Sequence, residues 1–121
     1  MIDFNNAVFR LKQNDEYRSK IIDLLVEGER VVESYKGIRD GIIFTDKRII
    51  AVNVQGITGK KKDYTTLPYS KIIAFSVETA GTFDLDAELE LWFSGLGKVK
   101  FEFVGATNIV EIGRLIGGYV L

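Results

Sequence analysis

The sequence predicts an α+β fold in which a strongly bent, seven-stranded antiparallel sheet, or open barrel, is capped by a C-terminal helix. Three observations indicate it. Residues 1–28 show helical apolar spacing, residues 29–104 contain β-rich runs separated by turn residues, and an amphipathic stretch follows Gly105. Strands first and a helix last are typical of this class. The length of 121 residues fits one domain, with residues 1–28 as an N-terminal helical extension and residues 29–121 as the sheet domain.

Two amphipathic helices are predicted in the N-terminal extension. The first has apolar residues at positions i, i+3, i+4 and i+7, namely Phe4, Ala7, Val8 and Leu11. Asn14 is expected to cap the second helix, and Gly28 is expected to end it. The apolar face of the second helix consists of Tyr17, Ile21, Leu24 and Leu25. We expect both faces to cover the core or a partner surface.

The next segment predicts a meander of short antiparallel strands. The runs "RVVESYKG", "IRDGIIFTD" and "RIIAVNVQ" are β-rich and are separated by turn residues near Gly37 and at Asp46 and Lys47. Two more strands are expected in "KKKDYTTLPYSKIIAFSVET". The chain's one proline, Pro68, lies between them, where no central strand loses a hydrogen-bond donor.

The segment Phe83 to Phe93, "FDLDAELELWF", alternates without a break, which favours a strand. Its predicted inward residues are Phe83, Leu85, Ala87, Leu89, Leu91 and Phe93. Its predicted outward residues are Asp84, Asp86, Glu88, Glu90 and Trp92. The following run "KVKFEFV" alternates again, with inward positions at Val99, Phe101 and Phe103.

Keeping both apolar faces on one side restricts how these last two strands pair. A three-residue loop, Ser94 to Leu96, places Glu90 opposite Lys100 and Trp92 opposite Lys98. A loop from Gly95 to Gly97 would instead set Glu90 against Glu102, two like charges. We therefore favour the first register.

A C-terminal helix is predicted after Gly105. Asn108 followed three residues later by Glu111 resembles a capping box. The apolar face of the helix consists of Ile109, Ile112, Leu115 and Ile116.

Composition excludes several classes of site. The chain has no cysteine and no histidine, which removes disulfides, thiolate metal sites and the Ser-His-Asp triad. Lys plus Arg is 16 and Asp plus Glu is 17, for a formal net charge of -1. This balance gives no drive toward nucleic acid and little repulsion against self-association. The N-terminus lacks the apolar core of a signal peptide. We therefore expect a cytoplasmic, non-enzymatic protein with no cofactor and no metal.

Several runs of the sequence resemble a known family. These runs are "RDGIIFTDKRIIAV", "QGITGKKKDY", "LPYSKI" and "FSVETAG". Together with the strand order and the terminal helix, they are similar to the bacterial pleckstrin-homology (PH)-like domains, over nearly the whole chain. The resemblance implies a PH-like superfold at 29–121, a non-enzymatic binding or scaffolding role toward a protein partner, and self-assembly into a cyclic ring, with a pentamer expected.

The resemblance also implies a hydrophilic patch near a subunit seam. We expect this ligand or interface patch to consist of Arg39, Asp40, Thr45, Arg48 and Glu78. In eukaryotic relatives, basic residues around the loop between the first two strands bind phosphoinositides. The matching loop here, "YKGIRD", offers Lys36 and Arg39. The tryptophan that those relatives carry in the final helix is absent, since Trp92 lies in a predicted strand.

The stretch Gln55 to Lys62, "QGITGKKK", combines glycines with lysines. A Walker-type loop needs four residues between its glycines and a following helix. Here two residues separate the glycines and a β-rich run follows, so we predict a hairpin turn. Its three lysines contribute about 3 kcal/mol at an anionic surface. The alternative function is therefore peripheral binding to anionic lipid, through the basic residues Lys36, Arg39, Lys60, Lys61 and Lys62.

The acidic ladder within the predicted 83–93 strand, Asp84, Asp86, Glu88 and Glu90, is not predicted to bind a metal. Alternate residues of a strand lie nearly 7 Å apart, whereas the ligands of Ca²⁺ must converge to about 2.5 Å from the ion. We expect this acidic face to be solvated or to face another subunit.

Overall fold

The computed structural model describes residues 1–105 and 107–121. Over these residues the chain forms eight strands, two short 3-10 helices and one α-helix. The strands are β1 (Arg10–Gln13), β2 (Val31–Lys36), β3 (Asp40–Thr45), β4 (Arg48–Gln55), β5 (Lys61–Pro68), β6 (Ile72–Glu78), β7 (Ala87–Phe93) and β8 (Gly97–Phe103). The helices are the two 3-10 segments Ser19–Leu24 and Tyr69–Lys71 and the α-helix α1 (Ile109–Val120).

The strands form one sheet that does not close into a barrel. Its order is β5-β4-β3-β2-β1-β8-β7-β6, so β5 and β6 are its two edges. Neighbouring strands are antiparallel except for β1 and β8, which are parallel. The predicted α+β fold with a bent antiparallel sheet and a C-terminal helix is confirmed, with eight strands where seven were expected.

The eighth strand comes from the segment predicted to be helical. Leu11 pairs with Phe103 of β8, and Lys12 pairs with Lys36 of β2, so β1 lies in the middle of the sheet. The prediction of two helices in residues 1–28 is therefore wrong, since Ser19–Leu24 forms six residues of 3-10 helix there. The helical spacing was coincidental: Leu11 is fully buried, whereas Val8 is 73% exposed. Hydrogen bonding to two neighbouring strands overrides local propensity here.

Asn14 does not cap an α-helix. Its side-chain Oδ1 accepts the backbone N–H of Glu16 at 2.8 Å, which is an Asx turn that redirects the chain after β1. Gly28 does adopt a positive φ of 82°, but it lies in a turn in which the N–H of Glu29 donates to the carbonyl of Val26 at 3.0 Å, and it ends no α-helix.

The predicted meander and the predicted hairpin register are confirmed. Strands β2 to β5 pair consecutively, and β5 ends at Pro68. In the β7–β8 hairpin, Glu90 lies opposite Lys100 and Trp92 lies opposite Lys98, as the Ser94 to Leu96 loop requires.

The predicted strand from residue 83 begins later than expected. β7 starts at Ala87, and the two residues predicted to face inward before it, Phe83 and Leu85, are 101% and 63% exposed. The carboxylate of Asp84 accepts the backbone N–H of Asp86 at 3.0 Å. The backbone carbonyl of Asp84 accepts the N–H of Gly81 at 2.7 Å. This local turn competes successfully with strand pairing.

The sheet carries a core on each face. The larger core lies between the inner face and α1, whose buried residues are Ile109, Ile112 and Ile116. Asn108 caps α1 as predicted, because its side chain accepts the N–H of Glu111 at 3.3 Å. The side chain of Glu111 pairs instead with Arg114, at 3.2 Å.

The smaller core lies on the outer face of β3 and β4. It consists of Tyr17, Ile21, Ile43, Ile50 and Val52. The segment from residue 14 to 28 covers these two strands, so it contributes to the fold by packing across the sheet.

Candidate functional site

The structure does not bring the five residues of the predicted ligand or interface patch together. Thr45 and Arg48 lie at the β3–β4 turn. Arg39 and Asp40 lie at the opposite end of β3. Glu78 ends β6, and four strands separate β6 from β3 in the sheet.

Thr45 and Arg48 belong to a buried anchor that also includes Glu29. The carboxylate of Glu29 accepts the Thr45 hydroxyl at 2.6 Å and two guanidinium N–H groups of Arg48, each at 2.9 Å. A third guanidinium contact, from Nη2 of Arg48, reaches the carbonyl of Leu24 at 2.7 Å. The Glu29 carboxylate also accepts the N–H of Val26 at 3.0 Å. The anchor therefore ties the end of the 14–28 segment to the β3–β4 turn, and these side chains are already satisfied by one another.

The charge state of Glu29 follows from these contacts. Burial alone would raise the pKa of Glu29, but the hydrogen bonds from Arg48, Thr45 and the Val26 N–H outweigh it and lower the pKa to about 2. Sequence reasoning missed Glu29, because nothing in its position distinguishes it from the exposed acidic residues around it.

At the other end of β3, Arg39 is largely committed to the β4–β5 turn. Its Nε donates to the carbonyl of Val54 at 3.3 Å, and its Nη2 donates to the carbonyl of Gly56. Beside it, Asp40 is partly buried, and this burial raises the pKa of its carboxyl group to about 6.

A shallow cleft of about 310 Å³ opens between the β2–β3 and β4–β5 turns. Four cationic side chains line it, and we call it the basic cleft: Lys20, Lys36, Arg39 and Lys62. The structure thus brings together three of the residues predicted to contact lipid and adds Lys20. Sequence reasoning missed Lys20 because it lies on the 3-10 segment, far from the others along the chain.

Part of the positive charge of the basic cleft is compensated within the molecule. Lys36 forms an ion pair with Glu16 at 3.3 Å. The ammonium group of Lys62 donates to the carbonyl of Gly59 at 3.2 Å. The other two predicted lipid contacts, Lys60 and Lys61, are exposed where β5 begins and do not line the cleft.

Two apolar side chains project beside these cations. Ile38, at the β2–β3 turn, is 97% exposed, and Ile57, at the β4–β5 turn, is 103% exposed. Both line the basic cleft. The hairpin interpretation of "QGITGKKK" is confirmed, since β4 pairs with β5 across it and Gly56 and Gly59 have φ of 75° and 69°.

A second exposed region lies along the edge strand β6. Apolar side chains of β6 and β7 are exposed there, and we call them the β6 edge surface: Ile73, Ala74, Val77 and Trp92. Ile73 is 66% exposed and Trp92 is 49% exposed. Helix α1 packs close to this edge through Gly113, where an added Cβ would lie 3.0 Å from a methyl group of Val77.

A further cleft, of about 730 Å³, lies between α1 and the strands β2 and β3. Its apolar floor includes Tyr35, Phe44, Ile112 and Leu115. Its rim is polar, and there the amide of Gln13 donates to the carboxylate of Glu33 at 3.0 Å. Volume and lining suit a small amphipathic molecule.

Two of the acidic residues near β7 are paired with cations. Glu88 lies 3.1 Å from Lys100, and Asp86 lies 3.1 Å from Arg10. Within residues 1–105 and 107–121, no group of three or more acidic side chains is arranged to hold a metal ion. In the same part of the chain, no helix is long and apolar enough to cross a membrane.

Comparison with known proteins gives consistent matches. A family model for the bacterial PH domain matches residues 3–120. The uncharacterized protein YjqA of Bacillus subtilis (strain 168) is 46% identical over 101 residues, which cover 82% of this chain and 81% of YjqA. The uncharacterized protein YozO of the same organism is 40% identical over 110 residues, which cover 91% of this chain and 94% of YozO.

A solved structure matches the architecture closely. The crystal structure of a DUF1696 family protein with a pleckstrin-homology domain, from Shewanella loihica PV-4, superimposes with a TM-score of 0.80. The two chains are 39% identical, and the match covers 93% of this chain and 99% of the other.

Proposed function

The chain belongs to the bacterial PH domain family. From that membership, we propose that it is a non-enzymatic binding or scaffolding module. We propose further that it self-assembles into a cyclic ring, with a pentamer expected. The PH-like fold predicted from the sequence is confirmed by the superposition on the Shewanella loihica structure. PH domains are generally non-catalytic. We place the proposed ring in the cytoplasm, without a cofactor, and expect it to bind a protein partner.

The β6 edge surface is the observation that carries the assembly proposal. An edge strand offers a row of unpaired backbone N–H and C=O groups, and proteins usually guard such a strand with charges or proline. β6 has one charged residue, Glu78, at its end, and Ile73 and Val77 are exposed along it. An exposed apolar surface beside open backbone groups favours burial against another chain.

The charge balance is compatible with this assembly. A formal net charge of -1 leaves little long-range repulsion between copies. Arg10 and Lys100 pair with Asp86 and Glu88 within each copy, so part of the acidic face near β7 is already compensated when another copy approaches.

The assembly is tested by measuring the mass of the full chain in solution. Light scattering after gel filtration, over a hundredfold range of concentration, is expected to give one mass near five times 13.6 kDa. Native mass spectrometry then gives the number of copies. A mass of one chain at every concentration would refute self-assembly, and a stable dimer would refute the ring.

A second candidate function is peripheral binding to anionic lipid at the basic cleft. Ile38 and Ile57 favour it, because both project from turns that also carry cations. Burying an isoleucine side chain contributes about 1.5 to 3 kcal/mol, and each lysine near an anionic surface contributes about 1 kcal/mol. Two inserted isoleucines, with Lys62 of the basic cleft and the neighbouring exposed Lys60 and Lys61, would therefore bind far more tightly than the lysines alone.

Vesicle sedimentation tests this second function. The wild-type chain is expected to sediment with vesicles rich in phosphatidylserine and to stay in the supernatant with phosphatidylcholine alone. Replacing Ile38 and Ile57 together by aspartate is expected to abolish the sedimentation. Ile22→Asp, at an exposed position of the 3-10 segment, is the matched control. Equal recovery of the wild type with both vesicle types would exclude lipid binding.

A further inference from the structure

We propose that the cleft between α1 and the strands β2 and β3 binds a small organic cation, with its ammonium group at Glu33 and its apolar body against the floor. We call it the α1 cleft, and its lining includes Glu33, Tyr35, Phe44, Ile112, Leu115 and Tyr119. The lining residues that the structure describes include none of the β6 edge surface and none of the four cations of the basic cleft. The proposed site is therefore separate from the surfaces assigned to assembly and to lipid binding.

The α1 cleft exists because the helix covers only part of the inner face of the sheet. Helix α1 packs mainly against β6, β7 and the 3-10 segment Tyr69–Lys71. The strands β1, β2 and β3 lie beyond β8 from there, so their inner face stays open beside the helix. The resulting space measures about 730 Å³, and small-molecule sites in proteins measure roughly 300 to 1,000 Å³.

Two polar side chains occupy inner-face positions in this open part. Glu33 pairs with Phe44 across β2 and β3, and Gln13 pairs with Tyr35 across β1 and β2. Phe44 and Tyr35 belong to the inner core, so Glu33 and Gln13 lie on the same face of the sheet. An antiparallel sheet normally places apolar side chains at such positions. A carboxylate there indicates a role other than packing.

The charge of Glu33 is not compensated by another side chain. Its carboxylate is half-buried and accepts an N–H of the neutral amide of Gln13 at 3.0 Å. Among the ion pairs in the part of the chain that the structure describes, none includes Glu33. The other charged residues of the lining, Glu111 and Arg114, pair with each other at 3.2 Å. Two carboxylates and one guanidinium group give the lining a formal charge of -1, which favours a cationic ligand.

The hydroxyl group of Tyr35 is a second polar group in the floor. The Tyr35 side chain is 6% exposed, and its ring packs edge-on against Phe44 and Phe103, with ring centroids 5.9 Å and 5.0 Å away. Within the described residues, its hydroxyl group takes part in no hydrogen bond. Burial, together with the charge of Glu33, raises the pKa of Tyr35 to about 12. The hydroxyl therefore stays neutral and offers a lone pair to an ammonium group beside Glu33.

The remaining lining suits the apolar body of such a ligand. Ile112 and Leu115 of α1 and Phe44 of β3 supply apolar surface. Tyr119 is held in place by stacking on Tyr69, with ring centroids 5.0 Å apart and ring planes at 3°. Aromatic rings also attract cations to their faces. An uncompensated carboxylate beside aromatic and apolar surface is the chemistry that recognises an amine with an apolar body.

Three probes that share one apolar body test the assignment in the full chain. They are naphthylmethylammonium, naphthylmethanol and naphthylacetate, and equilibrium dialysis measures the affinity of each. The ammonium probe is expected to bind at least about tenfold more tightly than the alcohol, because a hydrogen bond to a charged group contributes that much. The acetate is expected to bind most weakly, since its charge is repelled by Glu33.

Two variants separate the charge from the apolar surface. Glu33→Gln is expected to remove the preference for the ammonium probe and to leave the affinity for the alcohol unchanged. Gly118→Phe is expected to weaken the binding of all three probes, because Gly118 lines the cleft and a Cβ added there meets open space. Glu27→Gln, the same change at an exposed position outside the cleft, is the matched control. Circular dichroism verifies that all variants are folded.

A preference for the ammonium probe that is lost in Glu33→Gln and kept in Glu27→Gln supports the proposal. Absence of ammonium binding by the wild type would overturn it, and so would a preference that Glu33→Gln retains. Equal affinity for all three probes would also overturn it, since it would indicate an apolar occupant such as another polypeptide. Undiminished binding by Gly118→Phe would place the probes outside this cleft and would refute the site. The mass measurement tests the proposed assembly separately, because these results do not depend on the number of copies.

Discussion

The fold shifts the pKa values of two acidic residues, Glu29 and Asp40, in opposite directions. Glu29 is buried but receives several hydrogen bonds, and its pKa is lowered to about 2. Asp40 is partly buried, and burial raises its pKa to about 6. Because a shifted pKa is also a contribution to stability, these two residues give the protein two opposed pH dependences.

We expect Glu29→Gln to lower the free energy of unfolding by about 3 kcal/mol at pH 7, since it leaves Arg48 buried without its carboxylate. The folded pKa of Glu29 is below the unfolded value of 4.5. Its contribution is therefore complete above the unfolded pKa and is lost as the pH falls toward 2. Urea unfolding at several pH values should show a flatter acid limb for the variant. Glu111→Gln, which alters an exposed ion pair, is the control and should cost less than about 0.5 kcal/mol.

Asp40→Asn is expected to have the opposite effect. The folded pKa of Asp40 is above its ordinary value of 3.8, so the folded state binds more protons and loses stability as the pH rises from about 4 to about 6. The variant should therefore gain about 1 to 3 kcal/mol at pH 7 and lose this dependence. Equal unfolding midpoints for variant and wild type at pH 7 would contradict the assignment.

At the scale of residues, the sequence allowed polar side chains with a specific role to be selected, but it did not allow the residues that they contact to be predicted. Thr45 and Arg48 were selected as part of a patch, and they are part of one cluster, but the cluster is an internal anchor. Their partner Glu29 precedes them by 16 and 19 positions. No local pattern encodes such a contact, because it depends on how the 14–28 segment crosses the sheet.

At the scale of elements, the 14–28 segment is held by a close approach of Tyr17 to Gly41. A Cβ at residue 41 would lie 2.6 Å from the Tyr17 ring and 2.7 Å from the carbonyl oxygen of Tyr35. The ring can move, but the carbonyl belongs to the paired strand β2 and cannot. The glycine is therefore required for the segment to lie flat on β3.

Gly41→Ala is accordingly expected to lower the free energy of unfolding by about 2 to 3 kcal/mol. Hydrogen exchange should also show faster exchange in the 14–28 segment, because Tyr17 must leave its position. The control is Gly118→Ala in α1, where no atom lies within 4 Å of an added Cβ. That substitution should leave stability unchanged or raise it by up to about 1 kcal/mol. Comparable losses in both variants would mean that the close approach is unimportant.

The elements differ in how well their sequences predict them. The β7–β8 hairpin was predicted with its register, because alternation restricts the pairing and this register sets Glu90 opposite Lys100, although it also sets Glu88 opposite Glu102. The N-terminal segment was not, because Arg10–Gln13 is short and its strand conformation depends on β2 and β8, which lie far along the chain. The spacing of apolar residues reflects the local environment of a segment, whereas the strand conformation of β1 is determined by pairing with strands that are distant in the sequence.

At the scale of the whole molecule, β1 joins two parts of the sheet. Without it, β2 to β5 and β6 to β8 would be separate antiparallel units. The fold class could still be predicted, since it depends on the number and order of strands. The location of the exposed edges could not, because it follows from where β1 inserts.

Leu11→Ala tests the importance of this junction. Leu11 is fully buried between β2 and β8, and its truncation should cost about 2 to 5 kcal/mol. Leu24→Ala, at a residue that is 43% exposed, is the control and should cost about 1 kcal/mol or less. If the two substitutions had equal effects on the urea midpoint, β1 would not be essential to the sheet.

The position of β1 also has a consequence for synthesis of the chain. Arg10 pairs with Glu102, 92 positions later. At about 5 to 20 residues per second, the ribosome needs roughly 5 to 20 s to supply that partner. Until then the nascent chain can form the β2–β5 meander but cannot complete the sheet. Such a high contact order slows folding, so the newly made protein spends this interval with unpaired strands that chaperones can bind.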